Sequence, residues 1–222
     1  MRQADEDVRI GPMHLPGILA TRTADRGLVV FVHGSGSSRF SPRNAVVAQA
    51  LQELGLGTLL FDLLTGEEAR DRENVFDIDF LAHRLSSATK WLRAKEGTDK
   101  YAIGYFGAST GAAAALISAA RDPTIRAVVS RGGRPDLAGE GQLARVRAPT
   151  LLIVGGADTE VITLNRVALA ALTCPAKMVL VPHATHLFEE PGALEAVADL
   201  AADWFARWLR RDDAQRAHAA PG

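Results

Sequence analysis

Tyr101-Ala102-Ile103-Gly104-Tyr105-Phe106-Gly107-Ala108-Ser109-Thr110-Gly111 is the stretch whose reading decides the fold. Its first six residues form a short apolar run with β-branched and aromatic side chains, the pattern of a buried strand. Beyond it, Ala112 to Arg121 is rich in alanine and stops at Asp122-Pro123, as a helix does before a proline. A Gly-x-Ser-x-Gly between a strand and a helix is a nucleophile elbow, a sharp turn that lifts its serine above the sheet edge. The turn requires a strained backbone at Ser109, and flanking glycines because a Cβ at either would collide with the adjoining strand or helix. The helix then aims backbone N–H groups and its positive dipole end at charge developing beside the Ser109 hydroxyl. Two other readings compete. One is a glycine-rich turn that merely starts a helix. The other is a dinucleotide loop using Gly104, Gly107 and Gly111, but that loop belongs to a first βαβ unit, and here two strands precede it.

Outward from the elbow, strands and helices alternate. Residues 8–23 carry short apolar pieces broken by Gly11-Pro12 and Pro16-Gly17, as in a hairpin at a sheet edge. Leu28 to Val32 is continuously apolar, the mark of a strand buried on both faces. Pro42 to Leu54 reads as a helix with its apolar face at residues 46, 47, 50, 51 and 54. Strands are expected over 58–61, 125–129, 150–154 and 178–181, and helices over 79–95, near 162–172 and over 194–209. Trp204 and Trp208, at i and i+4 on the last helix, read as core packing. The fold class predicted is α/β, a mostly parallel open sheet with helices on both faces.

A net charge of −1 argues against a nucleic-acid partner or a polybasic membrane anchor. Hydrophobic content of 47% is that of an ordinary globular chain, and no stretch approaches the ~18 apolar residues of a membrane span. The single cysteine, Cys174, allows no internal disulfide, and Met1 to Val8 has no apolar signal segment. A cytoplasmic protein is expected, with one domain over 1–222 whose residues 1–7 and 211–222 are flexible tails.

A serine at an elbow needs a base to take its proton and an acid to orient that base, and the loops at the carboxyl ends of neighbouring strands must supply them. Leu151-Leu152-Ile153-Val154 runs into Gly155-Gly156-Ala157-Asp158, and Val179-Leu180-Val181 into Pro182-His183-Ala184-Thr185-His186. His186 is preferred to His183 because the longer loop gives it reach over the edge. Asp158 is preferred to Glu160 and Asp136 as nearest its strand end, the competing role for it being a helix N-cap. His33-Gly34-Ser35-Gly36 offers a backbone donor, Ser35 first and Gly36 after a one-residue slip, to pair with the Thr110 N–H around an oxyanion. His33 itself reads as a brace for that loop. Arg39, Arg43, Arg131 and Arg134 fall at the same edge. Arg39 and Arg131 are the candidates for holding a substrate carboxylate, against the alternative that such arginines pair with Asp62, Glu67, Glu68 or Asp136.

The elbow, the His-Gly-Ser-Gly loop, Gly-Gly-Ala-Asp (155–158) and Ala-Thr-His-Leu-Phe-Glu-Glu-Pro-Gly (184–192) together resemble the α/β-hydrolase superfamily, and more narrowly its dienelactone-hydrolase-like branch, over roughly residues 8–210. Ser-Arg-Gly-Gly-Arg-Pro-Asp-Leu (130–137) is similar to small hydrolases of that branch. Typical members carry a cysteine nucleophile. Ser109 in its place points to a general serine esterase, cleaving a carboxylic ester or thioester of a small acyl substrate without metal or cofactor. Acyl transfer to another acceptor and a non-catalytic binding module are the alternatives. Only about twenty residues separate the strands at 125–129 and 150–154, room for one short helix near 139–145, so no cap domain and an open cleft are expected.

Overall fold

The computed structural model describes residues 5–21 and 27–209. Eight strands form one sheet in the order β1-β2-β4-β3-β5-β6-β7-β8. β1 (Glu6–Ile10) and β2 (Leu15–Ala20) make the antiparallel edge hairpin, and β2 pairs antiparallel with β4 (Gly57–Phe61). From there β3 (Leu28–Val32), β5 (Ile103–Ala108), β6 (Ala127–Arg131), β7 (Thr150–Gly155) and β8 (Ala176–Val181) run parallel. β1 opens at Glu6, so the expected tail at 1–7 already contains paired strand; the rest of that tail, and 211–222, lie largely or wholly outside the described residues.

The apolar strands divide their side chains between two layers. Leu28, Val30 and Val32 enter one cluster with α3 (Ile78–Ala94) and α4 (Thr110–Arg121), and Val29 and Phe31 enter the other with α1 (Pro42–Glu53) and α7 (Ala193–Trp208). Both faces are therefore covered, which is why the strands read as unbroken apolar runs. Trp204 and Trp208 pack against the second cluster, and the Trp204 indole N–H donates to the Pro149 carbonyl at 3.2 Å. α6 (Thr159–Ala171) follows β7.

Two element readings are corrected, and one segment without an assigned element gains two. In α1 the buried residues are Asn44, Val47, Ala48 and Leu51, whereas Val46 and Leu54 are each 41% exposed. A spacing of i, i+3, i+4, i+7 defines that face, and the polar Asn44 takes a place on it. β6 ends at Arg131, two residues beyond the expected end, because Ser130 and Arg131 are polar yet buried. Between β4 and α3, a 3-10 turn at Glu68–Arg70 and a short α2 (Arg72–Phe76) fold over the sheet edge. No cap intervenes between β6 and β7, which are joined by a 3-10 turn at Pro135–Ala138 and a four-residue α5 (Glu140–Leu143).

The strand order reverses direction around β3, whose two neighbours are β4 and β5. Loops leaving β3 and β5 diverge there and open a crevice at their carboxyl ends, where open α/β sheets bind ligands.

Candidate active site

Ser109 stands in that crevice at the turn from β5 to α4, with φ 51° and ψ −123°. A non-glycine residue with this backbone costs on the order of 1–3 kcal/mol, which the surroundings must enforce. They do so through the two elbow glycines. A Cβ on Gly107 would lie 2.5 Å from the Ala112 Cα, and one on Gly111 would lie 2.3 Å from the Val32 carbonyl oxygen, so α4 packs against β3 at a distance no side chain permits. The Ser109 N–H donates to the Arg131 carbonyl at 3.2 Å, fixing the elbow to the end of β6.

Asp158 follows β7 and occupies the N-cap position of α6, yet its carboxylate makes no capping bond. It faces His186 instead, Oδ2 lying 2.8 Å from Nδ1. An ionised carboxylate only accepts, so the imidazole proton belongs on Nδ1 and Nε2 is left as an acceptor. The loop carrying His186 lies directly on the end of β7 because residue 155 is glycine; a Cβ there would meet the Ala184 carbonyl oxygen at 2.4 Å. The Thr185 N–H donates to Glu190 Oε1 at 3.0 Å and holds that loop from its other side. His183 is exposed on the same loop, and Asp136 is tied to Arg134 at 2.8 Å. Ser109 and His186 line one cavity of about 260 Å³.

The expected oxyanion donors differ from one another. Thr110 opens α4, and its N–H, one of the helix's orphan donors, has no partner among the described residues. The Ser35 N–H, by contrast, donates to the Thr110 hydroxyl at 2.9 Å. That donor is engaged rather than free, because a hydroxyl with open lone pairs sits beside it. His33 fulfils its bracing role: its Nδ1 lies 3.0 Å from the Gly34 carbonyl and its Nε2 accepts the Leu63 N–H at 3.2 Å. Burial pushes the ring's pKa below its ordinary value, in keeping with a neutral imidazole that accepts on one side and donates on the other.

The two candidate arginines part company. Arg39 is ion-paired to Asp62 and does not line the Ser109 cavity, which corrects its assignment as a substrate ligand: its charge is already neutralised. Arg131 does line the cavity. It is only 7% exposed, has no carboxylate partner among the described residues, and its Nε makes no hydrogen bond. Burial, with Arg43 nearby, brings its pKa down to about 10, leaving it charged at neutral pH. Arg43 lines the same cavity, a residue the sequence placed only at the edge, and reaches Glu189 at 3.3 Å. Among the described residues no group of three or more His, Cys, Asp or Glu side chains is placed to hold a metal, and no helix is long and apolar enough to cross a membrane.

A largely parallel sheet bearing a serine on a positive-φ turn after β5, an acid after β7 and a histidine after β8 defines the α/β-hydrolase fold. Within it the chain belongs to the dienelactone hydrolase family, whose model matches residues 16–211. A dienelactone hydrolase from Anabaena variabilis superposes with a TM-score of 0.91 at 52% identity, covering 95% of this chain and all of that one. An esterase domain from Rhodothermus marinus shares the fold, with a TM-score of 0.73 at 20% identity over 94% of this chain and 100% of that one. A Mycobacterium tuberculosis protein named as a phosphoribosyl transferase is 58% identical over 205 residues, 90% of this chain but 46% of that protein. The chain thus spans less than half the length of this relative.

Proposed function

We propose that the protein is a serine hydrolase of carboxylic esters or thioesters. The observation that carries this reading is the carboxylate of Asp158, at an N-cap position but bonded to His186 Nδ1 at 2.8 Å, with Ser109 on the same cavity wall. His186 Nε2 takes the Ser109 proton as Oγ attacks the acyl carbon; the C–O or C–S bond breaks and the leaving group departs with that proton. Water then gives its proton to Nε2 as it attacks the acyl-enzyme, releasing the acid and restoring Ser109. The Thr110 N–H, with the Ser35 N–H freed when the Thr110 side chain turns about χ1 and carries its Oγ1 away, stabilises the oxyanion. Arg131, charged and unpaired, takes an anionic group on the substrate. The transferase name of the mycobacterial relatives describes proteins more than half of whose length lies outside this match, and it is not carried over.

The test is a panel of p-nitrophenyl esters and thioesters assayed with wild type, Ser109→Ala and His186→Ala. Each substitution should lower kcat by about 10⁶-fold, with Asp158→Asn costing about 10⁴-fold. Equal turnover by all of the proteins removes the mechanism.

A further inference from the structure

A second cavity, of about 250 Å³, lies against the same Gly34–Ser37 loop but is lined by neither Ser109 nor His186. Its walls are Leu63 and Leu64 from the loop after β4, Val75 of α2 and Leu81 of α3. The histidine and the carboxylate on its wall are already engaged. Both His33 ring nitrogens are bonded within the protein, and Asp62 accepts the Arg39 N–H at 2.7 Å and pairs with the Arg39 guanidinium. Among the described residues no unpaired charge faces this space, in contrast to the Ser109 cavity, where Arg131 lies over the Phe188 ring without a carboxylate partner. Gly34, Ser35 and Ser37 line both cavities, and a Cβ on Gly34 would lie 3.0 Å from the Ser109 Cβ and 3.7 Å from its Oγ. Glycine at residue 34 therefore keeps the shared loop wall close against the Ser109 side chain.

Which half of an ester belongs there follows from the base. The group that protonates the leaving group must face it, and His186 lines only the arginine-bearing cavity. The acyl substituent extends from the carbonyl carbon toward the other side of the oxyanion loop. We infer that the cavity under β4, α2 and α3 is the acyl pocket, and that the substrate joins a compact apolar acyl group to an anion-bearing alcohol or thiol. The inference rests on the serine-hydrolase reading and deepens it. An apolar cavity of ~150 Å³ already accepts benzene, so this one holds an aromatic ring or a short aliphatic chain, not a long-chain lipid.

Acyl specificity is tested with p-nitrophenyl acetate, butyrate, hexanoate and octanoate, and with hexyl acetate, on wild type, Val75→Trp and Ala69→Trp. Ala69 lines the pocket from an exposed position and Val75 from the edge of the first core cluster, and circular dichroism reports the fold of each variant. In wild type kcat/KM should rise about fourfold per methylene from acetate to hexanoate and then level off. Either tryptophan should lower hexanoate turnover at least tenfold while leaving acetate within about twofold. If Val75→Trp does not fold, Ala69→Trp, at an exposed residue, carries the same comparison. A flat chain-length profile, equal losses on acetate and hexanoate, or a gain for hexyl acetate in place of hexanoate overturns the acyl pocket while Ser109-dependent acetate turnover persists. Absence of acetate turnover with no acylation of Ser109 would instead remove the underlying hydrolase reading.

Discussion

Ser109 and Asp158 both occupy helix N-cap positions, and neither side chain caps its helix. Serine and aspartate are favoured there because a capping bond contributes about 1 kcal/mol. Two helices forgo that contribution, and Ser109 adds backbone strain, so these residues serve the crevice at the fold's expense. Arg131 belongs with them. A guanidinium that is 7% exposed and without a carboxylate beside it pays desolvation with no ion-pair return. Arg131→Met should therefore raise stability by roughly 1–3 kcal/mol in urea unfolding. The same variant should raise KM at least tenfold for an ester carrying a carboxylate on its alcohol side, and leave a neutral ester unchanged. Lower stability with an unchanged KM contradicts the assignment. That Ser109, Asp158 and His186 share one edge was legible because the loops that carry them leave the carboxyl ends of β5, β7 and β8. The fate of the arginines was not legible. Arg39 and Arg131 carry the same charge at the same edge, and only the tertiary position of Asp62 separates them.

At the scale of elements, His33 ties the loop after β3 to the loop after β4, through the Gly34 carbonyl and the Leu63 N–H. Protonating the ring would turn Nε2 from acceptor to donor and oppose the Leu63 N–H. Burial holds the folded pKa below the ordinary 6.5. Above pH 6.5 both folded and unfolded chains carry neutral His33 and its contribution is fully present. As pH falls from 6.5 through the folded value, the unfolded chain binds the proton first and that stability is lost. Urea unfolding at pH 7.5, 6.5 and 5.5 should show wild type losing more stability than His33→Gln, whose amide oxygen accepts the Leu63 N–H without titrating. Equal losses in the two proteins contradict the brace. Sequence pattern located β3, β4, β5 and β7 closely because burial on both faces makes them nearly unbroken apolar runs, whereas β6 runs on through Ser130 and Arg131 and the less buried β8 opens at Ala176, two residues early. It misjudged the buried face of α1, where Asn44 replaces an apolar residue beside the crevice, and it found nothing in the segment between β4 and α3. Helices as short as α2 complete hardly more than one turn, so no periodicity announces them, and the apolar pocket they roof stayed hidden.

For the whole molecule, a sheet that changes winding direction beside β3 puts the elbow, the oxyanion loop and the loops after β7 and β8 along one rim. This architecture was legible from alternating apolar runs and helix stops, because an all-parallel interior demands both. The unity of the rim is also the central claim, since acyl chemistry needs the serine, imidazole and carboxylate to act as a unit. The direct measurement is the site and rate of covalent labelling by a fluorophosphonate, read by mass spectrometry on tryptic peptides. The account predicts a single adduct on Ser109 that forms at least a thousandfold more slowly in His186→Ala and Asp158→Asn. An adduct on another serine, or a Ser109 labelling rate indifferent to both substitutions, would contradict it.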